Sequence, residues 1–372
     1  MSQTFDVAAL ALPGVRGLSP YQPGKPVAEL ERELGIHDSI KLASNENPRG
    51  PGAAVRAAIA QASAELSRYP DGSAFELRQR LAAVLQLDPV QFTFGNGSND
   101  VLEVAARVFL GPGRSAICSA HAFVVYPIAI KGAGAALIEV PAVNFGADLP
   151  AMLAAIRDDT AMIFLANPNN PTGSWVDSDA LQAFLAAVPQ RVIVVLDEAY
   201  VEYVEAPDFP NGIELLAAYP NLIVTRTFSK VHGLAALRLG YAVSSPAIAD
   251  LLNRVRQPFN TSVLAQAAAI AALGDVEYVA ESRRLNSLGM RQIVAGLTAQ
   301  GVAYLPSIGN FLCIDCAGPA GPIYEALLRE GVIVRPIAGY GMPNHLRITI
   351  GLPAENERAL AALARVRAQL RR

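Results

Sequence analysis

A lysine closes "TRTFSK" at Lys230, directly after the apolar run "NLIVTRTF", in a chain that holds only four lysines against twenty-six arginines. An amine at the carboxyl end of a buried strand loses solvation, which favours its neutral form, and a neutral amine can condense with an aldehyde. The other lysines are less suited: Lys25 lies between Gly24 and Pro26, Lys41 opens a short polar-flanked segment, and Lys131 precedes "GAGA". Other apolar runs also end in polar groups. "LANPNNPTG" carries Asn170, "VIVVLDEAY" carries Asp197 and Tyr200, and "LRLG" places Arg238 eight residues after Lys230. Upstream, "GNGSND" at 95–100 reads as a strand-to-helix turn. There Gly97, Ser98 and Asn99 can aim backbone N–H groups at an anion, assisted by the following helix dipole. The turn lacks the third glycine of the dinucleotide fingerprint. Each residue also has an ordinary structural use: Asn170 and Asp197 as caps, Tyr200 in a core, Arg238 in a surface ion pair. Their joint occurrence at strand ends, in this order, is hard to produce by packing alone.

An amine, a carboxylate, an amide beside a phenol, and an anion cradle are the groups that pyridoxal phosphate requires. Lys230 would hold the aldehyde and Asp197 would keep the ring nitrogen protonated. Asn170 and Tyr200 would bond the phenolate oxygen, while Ser98, Asn99, Ser229 and Arg238 would take the phosphate. With "LASNENPRGP", "RYPDG", "NPNNPTG", "DEAY", "TFSK", "GLAALRLGY", "GVIVRP" and "HLRITIG" all present, the chain resembles, over essentially its whole length, the fold-type I aminotransferases and, within them, the histidinol-phosphate aminotransferases. The resemblance implies that Gly97 to Asn99 form the phosphate loop and that Phe123 of "HAFVVY" stacks on the cofactor ring. It also implies that Tyr69 reaches the cofactor phosphate of a neighbouring subunit, which makes a homodimer the working form. Substrate anions would fall to Arg335 and Arg347, with Tyr21 of "SPYQPGKPV" and Asn47. The implied reaction is transamination of L-histidinol phosphate with 2-oxoglutarate, giving imidazole acetol phosphate and L-glutamate in histidine biosynthesis.

Two alternatives stay open. Relatives with the same motifs transaminate aromatic amino acids, since one anion site accepts either group; others are pyridoxal-phosphate decarboxylases of a phosphorylated amino acid. A pyridoxal-binding regulator would need a DNA-binding segment, and none is visible. The chain departs from the commonest family pattern at His232, where an aromatic is frequent, and at Ala236, where glycine is.

The elements that must position these groups are legible as alternation. From about 91 to 245, short β-branched runs alternate with helical patterns such as "NDVLEVAARVFL", the signature of an α/β domain. Several runs are apolar on both alternating positions, so helices should cover both faces of the sheet, with ligands at the strands' carboxyl ends. The expected fold is that of the fold-type I transferases: residues 46–274 as a large domain with a mostly parallel seven-stranded sheet flanked by helices, and 275–372 with 1–45 as a small α+β unit. Asp275 is a plausible cap for a long helix running towards Gln300, and the first ~45 residues, poor in core of their own, are expected on the small unit.

Composition narrows the class. A net charge of −3, with 52% hydrophobic and 17% charged residues, gives no basic face for nucleic acid. No run approaches the ~18 apolar residues of a membrane span and the amino terminus has no signal-like pattern, so a cytoplasmic enzyme is expected. Three cysteines do not make a disulfide framework, and Cys313 and Cys316, three apart on a strand, should diverge. The four histidines lack metal-ligand spacing.

Overall fold

Strands form here where β-branched and aromatic residues run together. The computed structural model describes residues 5–370. After a two-residue strand β1 (Ile40–Lys41) come the seven strands of one sheet: β2 (Phe92–Gly95), β3 (Ser115–Ser119), β4 (Ala136–Val140), β5 (Thr160–Ala166), β6 (Ile193–Asp197), β7 (Leu222–Thr227) and β8 (Gly240–Ser244). Their order in space is β2-β8-β7-β6-β5-β3-β4. All neighbours are parallel except that β8 runs against both β2 and β7. Successive side chains point to opposite faces. Ile163, Leu165, Val194 and Leu196 therefore enter one apolar layer, while Met162, Phe164, Val195 and Ile223 enter the other. Both layers are buried, which is why these strands read as continuous apolar runs.

Chain order at the sheet creates the cleft. From β3 the chain moves outward to β4 and returns on the other side of β3 as β5. The connections after β3 and β5 therefore part, leaving a crevice at the carboxyl ends. Reversal of β8 adds a second contribution, because its first residue, Gly240, lies opposite Gly95, the last of β2. A Cβ on Gly240 would stand 2.2 Å from the Ser98 nitrogen, so only glycine lets the two backbones meet there.

A second, antiparallel sheet has the order β12-β13-β10-β9, from β9 (Tyr304–Leu305), β10 (Phe311–Asp315), β12 (Arg335–Pro336) and β13 (His345–Thr349). Between them in sequence, β11 (Val332–Ile333) pairs in parallel with β1. One face of this sheet, through Leu312, Ile314, Leu346 and Ile348, packs on the helices Val276–Ala299, Ala320–Arg329 and Pro353–Leu370. Asp275 caps the first of these, its carboxylate accepting from the Tyr278 N–H at 3.1 Å. Cys313 points the other way and joins a different apolar cluster from Cys316. The chain before β1 is divided: Leu30 packs on Leu328 and Ile333 of the small unit, whereas the turn Pro13–Arg16 lies against the helix Val125–Gly132 beside the large sheet. Among the described residues no single helix is long and apolar enough to cross a membrane.

Beside the cleft, Glu198 is fully buried and satisfied. Its Oε2 accepts from Arg226 Nε at 2.9 Å and Nη2 at 2.7 Å, and its Oε1 from the Gly212 N–H at 2.7 Å. Removing one partner of such a pair strands the other charge. Arg226→Met should lower the unfolding free energy by about 3–5 kcal/mol, and adding Glu198→Leu should restore much of the loss. Urea denaturation of the single and double variants measures both; a single variant as stable as the parent would contradict the pairing.

Candidate active site

The groups at the strand ends converge on a cleft of about 170 Å3 between the two sheets. Lys230, just beyond β7, donates from Nζ to the Ser44 carbonyl at 3.1 Å, and that nitrogen lies 5.5 Å from the centre of the Tyr200 ring. Burial lowers the amine's pKa, with the Arg347 guanidinium pushing the same way and Glu46 opposing, to about 7. A sizeable neutral fraction therefore exists at neutral pH, which an exposed lysine lacks.

Asp197 ends β6 and is buried. Tyr126 donates to its Oδ2 at 2.8 Å and Thr225 to its Oδ1 at 3.0 Å, so both side-chain donors are neutral hydroxyls. Burial pushes the carboxyl pKa up, and the bonds from Tyr126 and Thr225 pull it back down. Tyr126 is itself fixed, stacked on Phe164 at 5.0 Å and edge-on to Phe123 at 5.8 Å. Tyr200 accepts from Asn45 Nδ2 at 2.9 Å, and burial raises its phenol to about 12. Asn170, in the turn after β5, accepts from Arg347 Nη1.

The turn after β2 supplies the far wall. Gly97 has φ +83°, and a Cβ there would stand 2.5 Å from Arg238 Nη2, so the glycine leaves room for the guanidinium to lie over the turn. The helix Ser98–Phe109 begins at this point, with Ser98 and Asn99 lining the cleft. Arg238 Nη1 reaches Ser229 Oγ at 3.4 Å and the Ala235 carbonyl at 3.1 Å. Helix N–H groups, a hydroxyl and a guanidinium thus face one corner, an arrangement suited to a phosphate.

From the small unit come two arginines. Register places Arg335 of β12 directly opposite Arg347 of β13, and both are buried. Arg347 Nη2 donates to the Ala43 carbonyl at 2.7 Å; Arg335 Nη2 donates to the Gln22 carbonyl at 2.5 Å, with its guanidinium carbon 5.2 Å from the Tyr21 ring centre. Like charges opposite one another on adjacent strands repel, and a bound anion would relieve that repulsion.

Two of the expected residues lie outside this chain's own cleft; for Tyr69, expected to reach a neighbouring subunit, that is no departure. Asn47 is not in the cleft: its Nδ2 donates to the Val231 carbonyl at 2.7 Å and to Ser282 Oγ at 3.0 Å, holding the segment before the first large-domain helix to the helix Val276–Ala299. Its place is taken by Asn45, whose φ of +55° turns its side chain onto Tyr200. The paired asparagines of "SNEN" held this signal, but only the backbone turn distinguishes them. Tyr69 is 82% exposed, stacked on Phe259 at 4.7 Å, and does not line its own cleft. Tyr126, Thr225 and Tyr340 also belong to the site or its support; Tyr126 ends "HAFVVY" and Thr225 lies within "NLIVTRTF", but nothing in either stretch sets them apart from core residues. His232 is half-buried, its ring 5.0 Å from that of Phe228, and does not line the cleft.

A mostly parallel sheet with a strand-end lysine, a buried aspartate, a helix-terminal anion corner and a paired-arginine wall defines a class, and the chain belongs to it: the profile of the aminotransferase class I and II family matches residues 37–363. Within it, the chain is 60% identical over 366 residues to histidinol-phosphate aminotransferase 2 of Pseudomonas fluorescens Pf-5, covering 98% of this chain and 99% of that one. It is 51% identical over 362 residues to histidinol-phosphate aminotransferase 1 of Nitrosococcus oceani, covering 97% and 98%. Among solved structures it is similar to the histidinol-phosphate aminotransferase of Sinorhizobium meliloti in complex with pyridoxal 5'-phosphate, with TM-score 0.88, 33% identity, and coverage of 96% and 97%.

The depressed Lys230 pKa has a direct readout, because each of the four lysines can be followed separately by mass spectrometry. In cofactor-free protein, reductive methylation with formaldehyde should modify Lys230 with a midpoint near pH 7. Lys25, held protonated by Glu33 and Glu29, should react only at much higher pH. A Lys230 profile that coincides with that of Lys25 would contradict the desolvated amine.

Proposed function

We propose that this chain uses pyridoxal phosphate to transaminate L-histidinol phosphate with 2-oxoglutarate, yielding imidazole acetol phosphate and L-glutamate in histidine biosynthesis, as a cytoplasmic homodimer. The carrying observation is the cross-strand pair Arg335 and Arg347 facing an amine whose pKa lies at about 7. The residues fit the cofactor on structural grounds. Asp197 is a buried carboxylate bonded only by neutral side-chain donors, matched to a protonated ring nitrogen, and Gly97 leaves open the corner into which Arg238 and Ser229 point.

When bound, pyridoxal phosphate supplies an aldehyde that takes up an amino group and a ring that accepts the electron pair left when the α-proton departs. Lys230 would hold the aldehyde, Asp197 the ring nitrogen, and Asn170 with Tyr200 the phenolate oxygen. Ser98, Asn99, Ser229 and Arg238, with Gly97 at the turn, would take the phosphate, and Phe123 would stack on the ring. Lys230 Nζ would be the base that takes the proton from the substrate's α-carbon and delivers it to the carbon that had carried the aldehyde oxygen, which leaves the amino group on that carbon. Arg335 and Arg347, with Tyr21, orient the substrate anion, a phosphate in one half-reaction and carboxylates in the other. That planar fork suits both groups, so one site serves both substrates.

The homodimer reading is supported by the exposed Tyr69–Phe259 stack, apolar surface of the kind that partners cover. Tyr69 is the residue proposed to reach the neighbouring subunit's cofactor phosphate. Sedimentation should show a dimer, and Tyr69→Phe should leave it intact while raising the pyridoxal phosphate concentration for half-saturation by about three- to ten-fold, the scale of one hydrogen bond. A fully active monomer would remove this part of the reading.

The central test is the visible absorbance of the cofactor-loaded protein, with histidinol phosphate, phenylalanine and glutamate added separately and no acceptor present. Histidinol phosphate and glutamate should convert the lysine-bound band rapidly to the amine form, and phenylalanine slowly. Fast conversion by phenylalanine alone would indicate aromatic transamination, and turnover without any oxo-acid requirement would indicate decarboxylation. Lys230→Ala should reduce turnover by at least roughly 10²-fold; normal steady-state activity in that variant would sink the assignment.

A further inference from the structure

His121 lies two residues before Phe123 in the connection after β3, and three separate parts of the cleft meet on it. Its Nδ1 is 2.6 Å from the Tyr340 carbonyl oxygen. A carbonyl only accepts, so Nδ1 must carry the proton. Its own carbonyl accepts from Asn169 Nδ2 at 3.0 Å, and that amide also donates to Thr172 Oγ1 at 2.8 Å, bracketing Asn170. Its ring lies 5.8 Å from Phe145, which is edge-on to His345 at 5.3 Å, the first residue of the strand that carries Arg347. Opposite, Gly341 has φ +73° and a Cβ there would stand 3.4 Å from the His121 ring, so the turn that presents Tyr340 is fitted against the imidazole.

We infer that His121 is a positioning residue that locks the small unit's Tyr340 wall to the Phe123 loop and the Asn170 turn. The side of the cleft that receives the substrate and the side that faces the cofactor ring are thereby set as one unit. The inference rests on the reading of Phe123 and Asn170 given above. A local role is the competing account: His121 has φ +57°, a conformation few side chains adopt, and the imidazole could merely stabilise its own turn.

Substitutions at this position separate the two. Asparagine and aspartate both tolerate left-handed backbone and have the same shape, but only asparagine offers an N–H near where Nδ1 stands. In cofactor-free protein, hydrogen exchange should quicken in both 119–124 and 336–342 for His121→Asp and for His121→Gly, and remain near the parent for His121→Asn. In the loaded enzyme, His121→Asp should raise KM for histidinol phosphate about three- to ten-fold with a smaller change in kcat, and should shift the visible cofactor band. His121→Asn should restore both. Faster exchange confined to 119–124 with KM and band unchanged would overturn the inference, as would an asparagine variant as impaired as the aspartate one. If the parent protein neither shows the band nor transaminates, the functional reading fails, while the exchange comparison still decides whether His121 joins the two units. Should the glycine variant not fold, the asparagine–aspartate pair decides alone.

Discussion

Lys230 can be a partly neutral amine only while both units close over it. Its Nζ is held by the carbonyl of Ser44, which belongs to the segment joined through β1 to the small unit, and the positive charge that acts on it most strongly is that of Arg347 from β13. The large sheet supplies the strand end and much of the wall, and the small unit with its joined segment supplies the rest of the cover and the repelling charge of Arg347. Much else follows from this enclosure. Asn45 reaches Tyr200 from the same segment, Thr349 and Asn310 hold Asn45 in turn, and Arg347 reaches across to Asn170. A cleft built by two halves that each leave polar groups unsatisfied without the other couples the reactivity of the amine to the fit between them.

Much of this fold was legible in the sequence because its strands are buried on both faces. Runs such as "VIVVLD" and "NLIVT" leave little room for a helix reading, and each emerges as a strand of the large sheet. The polar residues that stand out do so because they interrupt such runs at the cleft end, and Lys230, Asp197, Asn170, Tyr200 and Arg238 all lie there. What stayed hidden depends on facts that sequence does not carry. Asn45 and Asn47 are chemically the same, and a single left-handed residue decides which enters the cleft. Tyr126 lies in a helical stretch where a tyrosine looks like core; only the strand order, which leaves just β5 between β3 and β6, lets the connection after β3 put its hydroxyl on Asp197. Strand register likewise sets Arg335 against Arg347, since the two lie on separate short strands with a turn between them.

The small unit shows how one sheet serves two purposes. Leu312, Ile314, Leu346 and Ile348 hold its helices, while the opposite face carries the buried Cys313 and presents Arg335 and Arg347 to the cleft. The Cys313 thiol, raised to about 12 by burial, is inert and donates to the Pro171 carbonyl at 2.8 Å. It therefore helps seat the turn that holds Asn170. Charge on this face is tolerable because each arginine is tied to a backbone carbonyl of the amino-terminal segment.

Asp197 and Glu198 are consecutive acids at the end of β6 with opposite circumstances. Alternation sends Asp197 towards Tyr126 and Thr225 in the cleft, whereas Glu198 goes through the sheet to Arg226. One carboxylate has a permanent cation and the other is left to meet a visiting one. The distinction is a matter of parity: gaining or losing a single residue within β6 would exchange the two environments and turn every apolar neighbour to the wrong layer. This strand can accept changes of side chain far more readily than a change of length, so insertions and deletions in the chain should be confined to the connections that do not set its phase.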